Sequence, residues 1–542
     1  MLTWMLVACQ QAEPPDASRA TLAAGPPDIP VPTMATAPMV QERPGLVINE
    51  VIAANDSQWQ DPSNLDTPDW IELYNAGTEP IALEEVEVEA GSWEWDGKEG
   101  EIPPGGYFFL ICDGVTDDAN HAPFGINSLG ERIELKVDGE RVDLIETGVL
   151  YDDVVWARYP DAGAWLPSIH ATPGFTNGSA PPYDSLDPRD SVFQKSHILR
   201  VDLFLTEGAI ADLNSGGLFT ETWVFGDIVV DGMQFPGSGV RLKGSGSYQD
   251  MNGKPNFKLD LNTAESDLRY RGLRAITLNS GNVYDPSRLH EYLAYRLARE
   301  SGLAAPRVGW AKVYVNLEYY GIYQNVETWD EEFYQRWWPT QETGQLFEGS
   351  GCDFGGGGYL SCKYDEGPDV PDLSVLLALD EMVDGGAFGV AEEEIWDVLY
   401  KDRFLTHLAW EAVLDHWDGY KSPNNWRFFQ DGLTNKLEWL PSGTDWTWAG
   451  SPDVYGGNGN VAELCFDMTN CKRDFNDYVV AVADVVEAIN LEGDVTDLRD
   501  WLYDDIVADP RSGHSATDVQ NVMEDTLRYV QDNPQDARDD VQ

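Results

Sequence analysis

From Leu46 to Asn177 the sequence is written in short alternating runs. Leu46-Val47-Ile48-Asn49-Glu50-Val51 and Arg132-Ile133-Glu134-Leu135-Lys136-Val137 are two of them, and Gly, Pro and Asp close each run. A period of two suits a strand with one buried face, and turns at this spacing leave no length for helices. Residues 46–177 are therefore predicted to form an all-β sandwich of about 120–130 residues. After residue 190 the pattern changes to mixed α and β. A chain of 542 residues also exceeds what one hydrophobic core serves. A multidomain protein is predicted: an N-terminal sandwich, then an α+β domain over residues 190–542 whose helical part starts near 476.

Charge removes one class of function. Asp and Glu total 94 against 35 Lys and Arg, a net charge of −59. Such a surface repels phosphate backbones, so nucleic acid is excluded as a partner of a broad basic face. A salty or calcium-rich exterior suits it. No apolar run approaches the roughly 18–20 residues that span a bilayer.

The first residues read as an address. Met1–Ala8 is short and apolar, and Leu6-Val7-Ala8-Cys9 resembles a bacterial lipobox, with Cys9 the lipidated residue and residues 1–9 the signal. The run is shorter than a usual signal core and no Lys or Arg precedes it, so an incidental Cys in a disordered terminus is the alternative. Residues 10–45 are rich in Pro, Ala and Thr without a hydrophobic period, which is a linker. A tether followed by a spacer predicts a secreted or cell-surface protein, lipid-anchored in a bacterial envelope, that meets the membrane through this anchor alone. The cysteines agree. Cys352 and Cys362 lie ten apart, Cys465 and Cys471 six apart, and each pair is predicted to close a disulfide in an oxidising compartment. Zinc needs closer spacing and nearby His. Cys112, in a strand-like run, is predicted to be a buried free thiol.

Six phrases of the first domain, in order, resemble the lamin-tail family, which implies an immunoglobulin-like fold. They are Ile48-Asn49-Glu50-Val51 with Ala54-Asn55, Asp69-Trp70-Ile71-Glu72-Leu73-Tyr74-Asn75, Pro103-Pro104-Gly105-Gly106-Tyr107, Leu129-Gly130-Glu131-Arg132, Arg158-Tyr159-Pro160-Asp161 and Thr172-Pro173-Gly174-Phe175-Thr176-Asn177. The resemblance implies an accessory binding module. Asp69 and Glu72 read either as a calcium or ligand site or, preferably, as a charged sheet edge that deters strand addition.

Familiar catalytic motifs are missing beyond residue 190: no GxSxG, HExxH or GxxxxGK. Asp353-Phe354-Gly355 spells a kinase triplet, but beside Cys352 and further glycines it reads as a disulfide loop. Strands are predicted at Ile198–Phe204, Val224–Phe235, Gly239–Lys243, Asn256–Leu261, Asn424–Phe429 and Leu437–Pro441, with two more between Trp310 and Glu327 that turn at Glu318–Gly321. Helices are predicted at Ser287–Ser301 and Arg403–His416. A Gly/Ser loop between strands, a strand Lys, a loop Asp with an Asn six residues later and a second Asp are the parts phosphoryl transfer uses. Singly, Lys258 reads as a solvent-facing strand Lys, Asp418 as a turn residue and Asp445 as a cap.

In their order these segments resemble the CotH family of secreted atypical kinases. Arg241-Leu242-Lys243-Gly244-Ser245-Gly246-Ser247, Asn256-Phe257-Lys258-Leu259, Leu289-His290-Glu291-Tyr292, His416-Trp417-Asp418-Gly419-Tyr420, Asn424-Asn425-Trp426 and Trp439-Leu440-Pro441-Ser442-Gly443-Thr444-Asp445 carry the resemblance. It implies a kinase that moves the γ-phosphoryl group of ATP to Ser or Thr of surface proteins. Asp418 is then the catalytic carboxylate, and Asp445 with Asn424 or Asn425 holds Mg2+ or Mn2+, with Ca2+ a further candidate. Lys258 meets the phosphates with Glu291 as its helix partner, Arg241 and Gly244, Ser245, Gly246 and Ser247 line the nucleotide, and Glu327 contacts adenine. The rival from another class is a non-catalytic pseudokinase adhesin or structural envelope protein.

Overall fold

The computed structural model describes residues 45–542 except 117–118, 183–185, 218–221 and 340–342. The Cys9 lipobox and residues 10–44 of the expected linker lie outside the described residues.

The N-terminal region is β-rich, as its alternation requires. A six-stranded sheet and a four-stranded sheet face one another across a shared core. Ile48, Ile71, Leu73 and Leu110 from the first meet Val88, Ile133 and Leu135 from the second, all fully buried. The strand Asp69–Asn75 is paired on both sides, with Leu46–Ile52 and Tyr107–Cys112. The preferred reading of Asp69 and Glu72 as a sheet edge is therefore corrected. Both carboxylates turn inward: Asp69 accepts the Ala54 and Ile126 amides at 2.9 Å, and Glu72 accepts Asn49 Nδ2 at 3.0 Å and the Gly174 amide at 2.6 Å. Cys112 is a buried free thiol.

Beyond residue 187 the chain closes a seven-stranded barrel. The strands follow in the order Ile198–Phe204, Val224–Val230, Met233–Lys243, Asn256–Asp260, Ala275–Asn279, Glu318–Val326 and Val308–Val315. The last pairs in parallel with the first, which closes the ring. Val240, Leu242, Phe257, Leu259, Ile276 and Leu278 point inward and are buried. Each such side chain contributes roughly 1.5–3 kcal/mol of apolar burial, which locks the register. Several predicted boundaries shift, and Gly239–Lys243 is the end of the longer strand Met233–Lys243 rather than a strand of its own. Val224–Phe235 is two strands, because Asp231 and Gly232 take positive φ of 47° and 92° and make a turn. The later hairpin turns at Asn316-Leu317, also at positive φ, rather than at Glu318–Gly321.

A second lobe packs below the barrel. It holds a four-stranded sheet of Lys363–Glu366, Gln345–Glu348, Trp426–Gln430 and Leu437–Pro441. The helix Lys401–Val413 is buried from Phe404 to its end. Helices Asn460–Asp467, Thr469–Ala488, Leu491–Val507 and Ala516–Val541 complete the lobe, so the helical part starts at 460 rather than 476. Disulfides Cys352–Cys362 and Cys465–Cys471 are formed. Among the described residues no helix is long and apolar enough to cross a membrane.

Candidate active site

Pairing register builds one wall of a cleft between barrel and second lobe. Arg241 lies opposite Lys258, Lys243 opposite Asn256, and Lys258 opposite Thr277. Residues opposite one another, or two apart on a strand, share a face. The face opposite the apolar core therefore presents Arg241, Lys243, Asn256, Lys258, Thr277 and Asn279 together, and all six line a cleft of about 780 Å³. The Gly/Ser turn borders the same cleft with Gly244, Ser245, Gly246 and Ser247. Its shape needs glycine. Gly244 has φ +107°, and a Cβ on Gly246 would lie 2.5 Å from the Tyr284 hydroxyl. Asn256 Nδ2 donates to Ser247 Oγ at 3.1 Å and ties the turn to the wall.

The facing wall comes from the loop after the helix Lys401–Val413. Glu411, fully buried among apolar neighbours, organises it. Its carboxylate accepts the backbone amides of Tyr420 at 2.6 Å and Lys421 at 3.1 Å, and lies 3.2 Å from His407 Nε2. Burial alone would raise the Glu411 pKa, but these imidazole and amide contacts outweigh it and hold the carboxyl below its ordinary value. Gly419 lets the loop come this close, since a Cβ there would sit 2.2 Å from Glu411 Oε1. The loop thereby places Asp418 at the cleft. Asn424 Nδ2 donates to its Oδ1 at 2.9 Å and Asn425 Nδ2 to its Oδ2 at 2.8 Å. Each oxygen keeps a lone pair for a further donor.

Asp445 enters from the short turn Thr444–Trp446 after the strand Leu437–Pro441. His416 Nε2 donates to the Gly443 carbonyl at 3.1 Å, joining the two loops. Opposite, Asp285 accepts the His290 amide at 2.9 Å and so starts the helix His290–Glu300, whose first turn carries Glu291 into the cleft. Lys243 Nζ donates to Asn279 Oδ1 at 2.7 Å, and Asn279 Nδ2 donates to both Glu291 oxygens at 2.8 and 2.9 Å. Along the rim Tyr284 stacks on Trp446 at 4.8 Å, and Trp417 meets the same ring edge-on at 4.6 Å.

The carboxylates are short of positive charge. Burial, then repulsion from Asp285, pushes Asp445 up, and burial, then repulsion from Asp445, pushes Glu291 up. Burial lowers Lys243 even though Glu291 and Asp445 hold it charged. A hard divalent cation answers this imbalance, and the donors present are all oxygens: Asp445, Asp418 and the amides of Asn424 and Asn425. Among the described residues no three Asp, Glu, His or Cys side chains converge to hold a metal by themselves. The donor set fits an ion whose shell is completed by phosphate and water, as Mg2+ or Mn2+ sites are.

Two expected roles meet different surroundings. Glu291 was expected beside Lys258, but its lysine is Lys243: Lys258 is surrounded instead by Arg241, Asp330, Asp365 and Arg427. The carboxylate of Glu327 is taken by Arg307 and Arg336, with Arg336 Nε at 3.2 Å and the Arg307 amide at 2.9 Å, and is driven to about 2 once their charges outweigh its burial. Glu327 borders the cleft, and both of its carboxylate oxygens are already paired with these arginines. Lys243, Asn279, Asp285 and Glu411 had no assigned role from sequence. Lys243 was legible, since it stands two residues from Arg241 and so on its face. A lone acid inside Leu408-Ala409-Trp410-Glu411-Ala412 was the signal for Glu411.

Residues 240–487 match the family model described as CotH kinase protein, which supports the CotH family for this stretch. No curated protein matches the chain.

Proposed function

We propose that this chain is an atypical kinase that transfers the γ-phosphoryl group of ATP to Ser or Thr hydroxyls of secreted or surface proteins. The observation that carries the reading is the meeting of three distant segments on one cleft: Lys243 and Lys258 under a Gly/Ser turn, Asp418 bracketed by two Asn amides, and Asp445 opposite Glu291. The match to the CotH kinase family agrees with it.

The chain's residues divide the reaction among them. Lys243, Lys258 and Arg241 offer positive charge to the phosphates from the barrel wall, and the Gly/Ser turn brings backbone close to them. Asp418 faces the acceptor hydroxyl and takes its proton as the new O–P bond forms and the bond to the ADP oxygen breaks. Asn424 and Asn425 hold the Asp418 carboxylate still. Bound by Asp445 with the Asn amides, Mg2+ or Mn2+ supplies charge neutralisation for the phosphates.

The N-terminal β-rich region is, in this reading, a lamin-tail-like accessory module that binds or presents. It meets the barrel through Gln60, whose amide pairs with the backbone of Gln234 at 3.0 and 2.9 Å, and through Ser57, which accepts the Gly272 amide at 3.2 Å. Two disulfides support an exported setting, and Cys9 is the proposed anchor.

Transfer from labelled ATP with Mg2+ or Mn2+, by residues 46–542 beside Asp418→Ala and Asp445→Ala, tests the reading. Incorporation lost in both folded variants supports a kinase. No incorporation and no ATP-dependent thermal shift in the parent chain leaves a binding protein on a kinase-like frame.

A further inference from the structure

The segment Leu491–Val541 lies beyond the matched stretch, yet it commits three buried polar side chains to the frame of the cleft. Asp509 pairs with fully buried Lys254 at 2.5 Å and accepts the Ile322 amide at 3.1 Å. Asn533 Nδ2 donates to the Gly450 carbonyl at 3.1 Å, five residues past Asp445. Thr526, fully buried on the helix Ala516–Val541, lies 2.9 Å from His290 Nε2. The other nitrogen of that imidazole, Nδ1, donates to the backbone carbonyl of Asp445 at 3.2 Å.

The hydrogen-bond arithmetic at Thr526 is tight. Its hydroxyl has one proton and two acceptors within reach, the Val522 carbonyl at 2.7 Å and His290 Nε2 at 2.9 Å. The one N–H of a neutral imidazole is spent at Nδ1 on the Asp445 carbonyl, so Nε2 is an acceptor and Thr526 is its donor. His290 is 3% exposed and has no solvent to fall back on. Without the Thr526 hydroxyl, Nε2 is buried without a donor, which is costly. The alternative in reach is Asp285 Oδ1 at 3.9 Å, which only the tautomer with its proton on Nε2 can meet. A ring that swings toward Asp285 gives up its bond to the Asp445 carbonyl.

We propose that Thr526 is a positioning residue: through His290 it fixes the backbone at Asp445 and thereby aims that carboxylate into the cleft for a divalent cation. The C-terminal helix is then a working part of the site. The proposal rests on the kinase reading only in taking Asp445 as a cation ligand.

Isosteres separate positioning from packing. Thr526→Val keeps the volume and removes the oxygen, whereas Thr526→Ser keeps the oxygen and removes a methyl. The readout is binding of Mn2+ alone to the full chain, by electron paramagnetic resonance, with phosphoryl transfer and Tm measured alongside. Thr526→Val is expected to weaken Mn2+ roughly 10-fold, the scale of losing an outer-shell partner, with Thr526→Ser within about 2-fold of the parent. His290→Gln is expected to match the Val variant, and the double variant to lose little more, because the two act through one link. Parent-like Mn2+ binding in Thr526→Val overturns the proposal. So does equal weakening in Thr526→Ser, or a parent chain that binds no Mn2+ or loses none of it in Asp445→Ala. Weakened Mn2+ binding in Thr526→Val with no phosphate transfer by the parent sustains the proposal and sinks the kinase reading.

Discussion

Asn425 and Gly443 are in contact that no side chain on the glycine would permit. A Cβ at position 443 would lie 2.5 Å from Asn425 Cγ, and Gly443 itself has φ +60°. Because Asn425 holds Oδ2 of Asp418 at 2.8 Å, this contact is what brings the Asp418 loop against the turn that carries Asp445.

Gly443→Ala therefore adds both a clash and a left-handed backbone strain of about 1 kcal/mol. Asn425 has to retreat, and Asp418 moves with it. Transfer is expected to fall about 100-fold, as displacements near 1 Å do, with only a small change in Tm. Steady-state kinetics beside thermal melting checks this, and full activity in the variant would contradict the described contact.

The two cleft lysines are expected to fail differently. Lys243 sits in the chain that runs through Asn279 to Glu291, so Lys243→Ala strips charge from the centre of the site and lowers kcat by about 100-fold or more. Lys258 lies among Arg241 and Arg427, which keep positive charge in place, so Lys258→Ala raises the KM for ATP more than it lowers kcat. Separate kcat and KM values decide between the two, and the reverse pattern would return the central role to Lys258.

Glu411→Ala removes the acceptor of two buried amides and the partner of His407 and His416 at once. A loss of roughly 3 kcal/mol in denaturant unfolding is expected, the scale of breaking a buried charged network. Glu411→Gln, which keeps one acceptor oxygen, is expected to recover part of it. An unchanged midpoint in the Ala variant would show that the loop 416–421 stands without this anchor.

Glu50 is a buried acid of the N-terminal region with its pKa raised by burial. Thr172 Oγ1 lies 2.6 Å from Glu50 Oε1 and 2.5 Å from Asn177 Oδ1, and Asn177 uses its Nδ2 on the Arg158 carbonyl. One hydroxyl proton cannot serve two acceptors, so Glu50 brings its own and is a neutral acid. Burial, then repulsion from Glu72, raises its pKa from 4.5 to about 8. A raised folded pKa gives stability that is full below 4.5 and is lost as pH rises to about 8. By linkage the loss is on the order of 5 kcal/mol at most. Glu72, raised to about 7, acts in the same sense. Unfolding of this region is expected to be harder at pH 5 than at pH 9, and Glu50→Gln to remove roughly half of the difference. A variant that keeps the parent's pH slope would show that Glu50 is charged in the fold.

Much of the frame was written locally. Alternation in Arg241-Leu242-Lys243 and in Asn256-Phe257-Lys258 decides which residues go to the core and which to the cleft, because side chains on a strand change face at every step. The same rule marks Lys243 as a cleft residue. Boundaries set by backbone conformation were harder: the turns at Asp231-Gly232 and Asn316-Leu317 use positive φ, and of these residues Leu317 gives no warning of it. Edge or interior was also unreadable for Asp69–Asn75, since a strand's own residues do not say how many neighbours it has.

By itself, then, the sequence determined the elements and the faces: a β-rich region, a barrel whose inward residues are apolar, two cysteine pairs at bridging distance, and the order of cleft residues. Only the tertiary structure decided partners. That Glu291 meets Lys243, that Glu327 is spent on Arg307 and Arg336, and that Thr526 holds His290 against Asp445 are contacts between residues 9 to 236 positions apart. Short-range periodicity comes from backbone geometry and is visible in a window of a few residues. Partners across the fold are chosen by how barrel closure and helix packing bring distant segments together, and no local pattern carries that information.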